Sequence, residues 1–208
     1  MAAVLDARFL ASATELSQLP PPAFAEIAFA GRSNVGKSSL INALAQRKKL
    51  VRISGRPGCT RGINLFRLRV RLPGEGDADA AEGELDFVDL PGYGYAQRSK
   101  AERRSWGPLI ESFLSQRPGL RAVVLIVDVR RGPEDDDAQL LEYLQSIDRR
   151  AIVVATKLDK VPRSKQKLAL KAISDALGGM RVHGFSATKG DGRDKLWRSL
   201  LRAAHLGT

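Results

Sequence analysis

The chain has 208 residues, 34 lysines and arginines against 23 acids, a net charge of +11 and a single cysteine. That length suits one well-buried domain and is short for two; no apolar run approaches a membrane span, and the N-terminus lacks a basic region followed by a long apolar stretch. The lone Cys59, in a loop where local packing is its expected role, excludes an internal disulfide and suits a reducing, cytoplasmic setting. His183 and His205 stand far from any metal-ligand spacing and read as structural.

Residues 1–22 show little periodicity and end in Pro20-Pro21-Pro22, so they are expected to form an N-terminal arm with room for one short helix, ahead of a single domain over 23–208. Ala25–Ala30 reads as a strand and Ser38–Leu44 as a helix start. Between them Gly31-Arg32-Ser33-Asn34-Val35-Gly36-Lys37-Ser38, with Ser39 following, satisfies G-x-x-x-x-G-K-[ST] at every fixed position. The glycines let the backbone wrap a polyphosphate with its N–H groups inward, at the positive end of a helix. In that pattern Lys37 reaches the β- and γ-phosphates and the Ser38 hydroxyl ligates Mg²⁺. Segment 48–62 follows as a flexible loop crowded by Arg47, Lys48, Lys49, Arg52, Arg56 and Arg61. Within its Gly58-Cys59-Thr60-Arg61-Gly62 run, Thr60 is the candidate second Mg²⁺ ligand once a triphosphate is bound.

Residues 65–72 and 84–89 are expected strands, forming an antiparallel hairpin at the sheet edge around the acidic, glycine-rich connector 73–83, a mobile tip. Phe66, Leu68, Val70 and Leu72 alternate with Arg67, Arg69 and Arg71, so the first strand is expected to bury an apolar face and present three arginines outward. Asp89-Leu90-Pro91-Gly92 closes the second strand as D-x-x-G: Asp89 is placed to hold Mg²⁺ through water, and the Gly92 N–H to face a γ-phosphate. Residues 98–116 read as a helix interrupted at Gly107-Pro108, with Trp106, Ile110 and Phe113 inward. Residues 93–104, carrying Arg98, Lys100, Arg103 and Arg104, are expected to switch with the nucleotide, pivoting on Gly92. Val123–Val129 is a continuous apolar run suited to a central parallel strand. Pro133, Glu134, Asp135, Asp136 and Asp137 mark a helix N-terminus, where the acids oppose the dipole rather than gather a metal.

Thr156-Lys157-Leu158-Asp159 follows the strand Ala151–Ala155 and has the form [NT]-K-x-D. A carboxylate at Asp159 accepts both N1–H and the exocyclic amine of guanine; adenine lacks that donor pair and would leave a buried acceptor unpaired. Phe185-Ser186-Ala187 ends a further strand, where the Ala187 N–H is placed to donate to guanine O6. Helices near 164–177 and 192–203 complete the alternation. Four motifs in this order imply a GTP/GDP site on an α/β fold: a three-layer P-loop GTPase domain, mostly parallel with one antiparallel edge hairpin, its ligand at the carboxyl ends of the strands.

The runs F-A-G-R-S-N-V-G-K-S-S-L-I-N-A-L, R-P-G-C-T-R, D-L-P-G-Y-G-Y-A, T-K-L-D-K and F-S-A-T-K-G resemble the EngB (YihA/YsxC) family of small bacterial GTPases across residues 24–202. The resemblance implies a GTP-binding protein linked to assembly of the large ribosomal subunit and needed for normal division and septation. Ras-like enzymes carry a glutamine directly after D-x-x-G to orient the attacking water, and Tyr93 stands there in this chain. A phenol substitutes poorly for an amide that must donate and accept at once, so slow intrinsic hydrolysis is expected, with no general base to name. In related GTPases with G-x-x-N-x-G-K-[ST] loops the asparagine matching Asn34 binds K⁺ beside the phosphates.

The basic clusters flanking both nucleotide-sensing segments favour contact with RNA, which the resemblance implies is ribosomal RNA of the large subunit or its precursor. The alternative is a nucleotide-gated module acting on a division protein, with hydrolysis incidental. A monomer is the default.

Overall fold

The computed structural model describes residues 2–51, 62–72, 81–93 and 107–206. Among these residues a sheet of seven strands runs in the order β1-β3-β4-β2-β5-β6-β7. The strands are β1 (Ala3–Ala13), β2 (Glu26–Gly31), β3 (Ile63–Arg71), β4 (Glu82–Asp89), β5 (Leu120–Asp128), β6 (Ala151–Thr156) and β7 (Val182–Gly184). The helices are α1 (Lys37–Leu44), α2 (Gly107–Gln116), α3 (Asp135–Ser146), α4 (Arg163–Ala176) and α5 (Arg193–Ala203). β4, β2, β5, β6 and β7 are mutually parallel, and β3 runs antiparallel to both β1 and β4.

Alternation along the central strands makes the three layers. Ile27 and Phe29 of β2, with Ala122, Val124 and Ile126 of β5, pack against Leu40, Ile41 and Leu44 of α1 and Leu196, Trp197 and Leu200 of α5. Ala28, Ala30, Val123, Leu125 and Val127 face the opposite layer, with Phe113 of α2, Leu140 and Leu144 of α3 and Ile173 of α4. Both faces of these strands are buried, so they read as unbroken apolar runs rather than alternating ones. Phe87 stacks on Trp197 at 5.6 Å, and the indole N–H donates to the Leu44 carbonyl at 3.3 Å.

Two expectations are corrected. Residues 3–13 form a sheet strand, β1, instead of lying in an arm, so the 63–71/82–89 hairpin sits one place in from the edge. The strand escapes detection because it is an edge strand with no clean apolar alternation, register shifts between Val4 and Asp6 and between Phe9 and Ala11, and a Phe9 that is 55% exposed. The connector behind it is tied down: Arg117 clasps the buried Glu26 with three contacts of 2.6–3.1 Å and donates to the Pro20 carbonyl at 2.7 Å. Second, the β3 arginines are not uniformly presented outward. Arg67 makes a two-pronged bond to Asp86 on β4, at 2.9 and 3.0 Å, and lies over the Phe24 ring; Arg69 and Arg71 are exposed. Among the described residues α2 starts at Gly107-Pro108; the expected helical stretch 98–106, with Trp106, lies outside the described residues, as do residues 73–80 of the hairpin tip.

Candidate functional site

β2 is where successive connections leave the sheet in opposite directions: the chain passes through β3 and β4 on one side and then to β5 on the other. A crevice at the carboxyl end of such a strand is where doubly wound sheets bind ligands. The loop Gly31–Gly36 occupies that position, and α1 starts directly after it. Gly36 has φ +101°, a conformation that a side chain would strain, and Asn34 is also left-handed at φ 67°.

Two other segments hold this loop. The Ser33 N–H donates to the Tyr93 carbonyl at 3.2 Å, and a Cβ on Gly92 would lie 3.1 Å from Ser33 Oγ, so the end of β4 lies flat on the loop. The Thr156 hydroxyl, with one proton to donate, lies within hydrogen-bond reach of the Val35 carbonyl and of the Val127 carbonyl at 3.0 Å. Lys157, itself left-handed at φ 59°, donates to the Asn34 carbonyl at 2.7 Å and pairs with Asp128 at 2.9 Å. Although burial opposes ionisation of Asp128, bonds from the Arg130 side chain and backbone and from Lys157 hold its carboxyl well below the usual range. The Ser186 hydroxyl donates to Asp159 Oδ1 at 2.7 Å, and that bond lowers the Asp159 pKa. The structure therefore brings together Gly31–Ser39, Asp89–Gly92, Thr156–Asp159 and Phe185–Ala187. Ala187 is exposed beyond the buried Ser186. Gly62 opens the turn into β3, while Gly58, Cys59, Thr60 and Arg61 lie outside the described residues, as do residues 94–104 of the second expected switch.

Lys37 and Asp89 pair directly, and both are buried. The other carboxylate oxygen, Asp89 Oδ2, is buried with no hydrogen-bond partner among the described residues. Such an orphan acceptor is costly to leave unmet. With the half-buried Ser38 hydroxyl it supplies hard oxygen donors of the kind Mg²⁺ prefers, so the residues present fit that ion.

The sequence does not give away a second group behind the loop. Asp137, at α3's first turn, is buried; it accepts from the Tyr93 hydroxyl at 2.7 Å and from the Glu134 N–H at 3.0 Å. Glu134 pairs with Arg32. Burial pushes the Asp137 carboxyl up to about 6, against the Tyr93 bond and the Arg32 charge, and burial likewise raises the Tyr93 phenol well above its ordinary value. Capping accounts for the Glu134–Asp137 bond, as the acids in this run lead one to expect; their reach to the phosphate loop has no local signal.

The family described as 50S ribosome-binding GTPase matches residues 26–157. A "probable GTP-binding protein EngB" of Desulforapulum autotrophicum is 45% identical over 199 residues, covering 95% of this chain and 96% of that protein. One from Anaeromyxobacter dehalogenans is 47% identical over 203 residues, covering 97% and 92%. Among solved structures, a probable GTP-binding protein EngB aligns over 87% of this chain and 99% of its own with a TM-score of 0.59 at 23% identity. Era in complex with MgGDPNP and nucleotides of 16S ribosomal RNA aligns over 90% of this chain and 59% of its own, with a TM-score of 0.65 at 24% identity. At those identities the two structures speak for the fold.

Proposed function

Because the chain belongs to the EngB family of GTP-binding proteins, we propose that it is a slow GTPase acting as a switch in assembly of the large ribosomal subunit. Normal division and septation then depend on it through ribosome supply. The observation that carries this reading is the meeting of four segments at the carboxyl ends of neighbouring strands: the phosphate loop is bonded to Asp89 and to Lys157, and Thr156–Asp159 is bonded to Phe185–Ala187 through Asp159 and Ser186. It acts in the cytoplasm as a monomer; among the described residues no helix is long and apolar enough to cross a membrane.

The loop residues Gly31, Arg32, Ser33, Asn34, Val35, Gly36, Lys37, Ser38 and Ser39 cradle the phosphates. Lys37 exchanges Asp89 for the β- and γ-phosphate oxygens, which neutralises charge as the β–γ bond breaks and leaves Asp89 free to accept from metal-bound water. Ser38, Thr60 and, through water, Asp89 are the residues that would hold Mg²⁺, which would supply further neutralisation of the phosphate charge when bound. Gly58, Cys59, Thr60, Arg61 and Gly62 order with the triphosphate, and Leu90, Pro91 and Gly92 carry the γ-phosphate contact into the second switch. Thr156, Lys157, Leu158 and Asp159 select guanine with Phe185, Ser186 and Ala187. Slow turnover follows from the water-orienting position: the Tyr93 hydroxyl is engaged by Asp137. Asn34, by the likeness of its loop to K⁺-dependent GTPases, offers a place for K⁺ beside the phosphates. Hydrolysis is then faster in K⁺ than in Na⁺, and equal rates across a range of salt concentrations contradict that assignment.

The partner is ribosomal RNA of the large subunit or its precursor, met by the basic clusters around residues 47–61 and 98–104. Thr60→Ala tests the switch: GDP affinity is retained while docking to the particle in the presence of a GTP analogue fails. Undiminished docking contradicts it.

A further inference from the structure

Across the sheet from β1, the opposite edge is the three-residue strand β7, and α4 and α5 flank it to leave a groove of about 540 Å³. Arg181, Arg193, Lys195 and Arg198 line it, with His183 on its floor and Asp194 as its lining carboxylate. None of the four cations lies within 4.0 Å of a carboxylate among the described residues, whereas Arg32, Arg67, Arg117 and Arg130 all do. The surrounding stretch 163–202 holds ten lysines and arginines against three aspartates, so it carries seven of the net eleven positive charges.

We propose that this groove is an RNA-backbone binding surface that works independently of the nucleotide state. Like charges around a concave, low-dielectric wall focus the field outward and leave a standing attraction for anions. Three of the four cations are arginines, whose planar forks match phosphate oxygens two at a time. The volume falls in the range of about 300–1,000 Å³ that admits an organic ligand, enough for a nucleotide unit of an extended strand rather than an ion alone. Burial and the nearby Arg181 and Lys195 charges lower the His183 pKa from its ordinary value. The apolar lining is limited to Leu158, Leu170 and Val182, too little for the hydrophobic centre of a protein interface. The choice of RNA among phosphodiesters rests on the ribosome-directed reading above.

No lining residue falls in the two expected switch segments, 48–62 and 93–104. The groove therefore serves as a fixed anchor while the switches decide when the particle is held or released.

The test is binding of purified large-subunit ribosomal RNA over a series of KCl concentrations, with GDP and with a GTP analogue. Wild type is compared with Arg193→Glu/Arg198→Glu, and fluorescent GDP binding serves as the control for folding. The double variant is expected to lose about tenfold or more in RNA affinity, with the slope of log K against log salt reduced by roughly 1.5, equally in both nucleotide states. If charge reversal impairs folding, Arg181→Ala/Lys195→Ala is expected to weaken RNA binding several-fold with GDP binding intact. Unchanged RNA affinity and slope overturn the proposal. So does normal RNA binding with lost particle binding, which would assign the groove to a protein. Loss of GTP-dependent docking by the wild type would count against the switch alone, because the groove is read on purified RNA in both states.

Discussion

The Tyr93 hydroxyl donates to Asp137 Oδ1 at 2.7 Å, joining the residue after Gly92 to the first turn of α3. Both side chains are buried. The phenol is therefore committed to holding the start of the second switch against α3 and the phosphate loop, and is not directed at an attacking water. Tyr93→Phe is expected to lower stability by about 1–2 kcal/mol, since it strips a donor from a buried carboxylate, while the hydrolysis rate stays within about twofold. Urea unfolding and single-turnover hydrolysis check the two halves; a large loss of rate would place the hydroxyl in the chemistry.

Asp137 gives this connection a pH dependence. Its folded value of about 6 lies above the unfolded value of about 3.9, so the native state binds the proton more tightly. The contribution of this group to stability is fully present below about pH 4 and is lost as pH rises through 6, by on the order of 2–3 kcal/mol. Asp137→Asn cannot titrate. The stability difference between wild type and variant should therefore shift against the wild type from pH 4 to 6.5, as measured by denaturant unfolding; parallel profiles would contradict the assignment.

In the proposed function, guanine selection depends on how Asp159 is held. Ser186, fully buried, fixes its carboxylate by the 2.7 Å bond. Ser186→Ala should weaken GDP binding by about 1 kcal/mol, roughly fivefold, through loss of that orientation. Asp159→Ala should cost far more, about 3 kcal/mol or roughly a hundredfold, by removing the acceptor of two guanine donors. Calorimetric titration with GDP separates the two; equal effects would argue that Ser186 contacts the nucleotide itself.

Arg117 and Glu26 are buried together, and the guanidinium also reaches the Pro20 carbonyl. Arg117→Met leaves an uncompensated carboxylate and should destabilise by about 3–5 kcal/mol, whereas Arg117→Met/Glu26→Leu should recover much of the loss. Thermal unfolding of the two variants decides this, and a double variant no better than the single would mean the guanidinium's bond to Pro20 dominates.

The segments of the candidate site were legible because each carries its proposed chemistry in a few adjacent residues at a strand end, as in Gly31–Ser38 or Thr156–Asp159. The central strands were legible because burial on both faces writes an unbroken apolar run, as in Val123–Val127. β1 was not, because an edge strand with two register shifts has no clean period. The Tyr93–Asp137 and Arg67–Asp86 pairs span 44 and 19 positions of the chain and depend on which elements come to lie side by side. A charged residue in sequence looks the same whether it will face solvent or a partner, which is why three outward arginines were expected on β3 and Arg67 proved to be paired.

The most direct measurement is co-sedimentation of the protein with purified large ribosomal subunits and their immature precursors, in a non-hydrolysable GTP analogue and in GDP. Association with the precursor in the triphosphate state, lost in GDP, is the predicted result. Failure to bind in either state would contradict a ribosome-directed switch and turn attention to a protein partner in division.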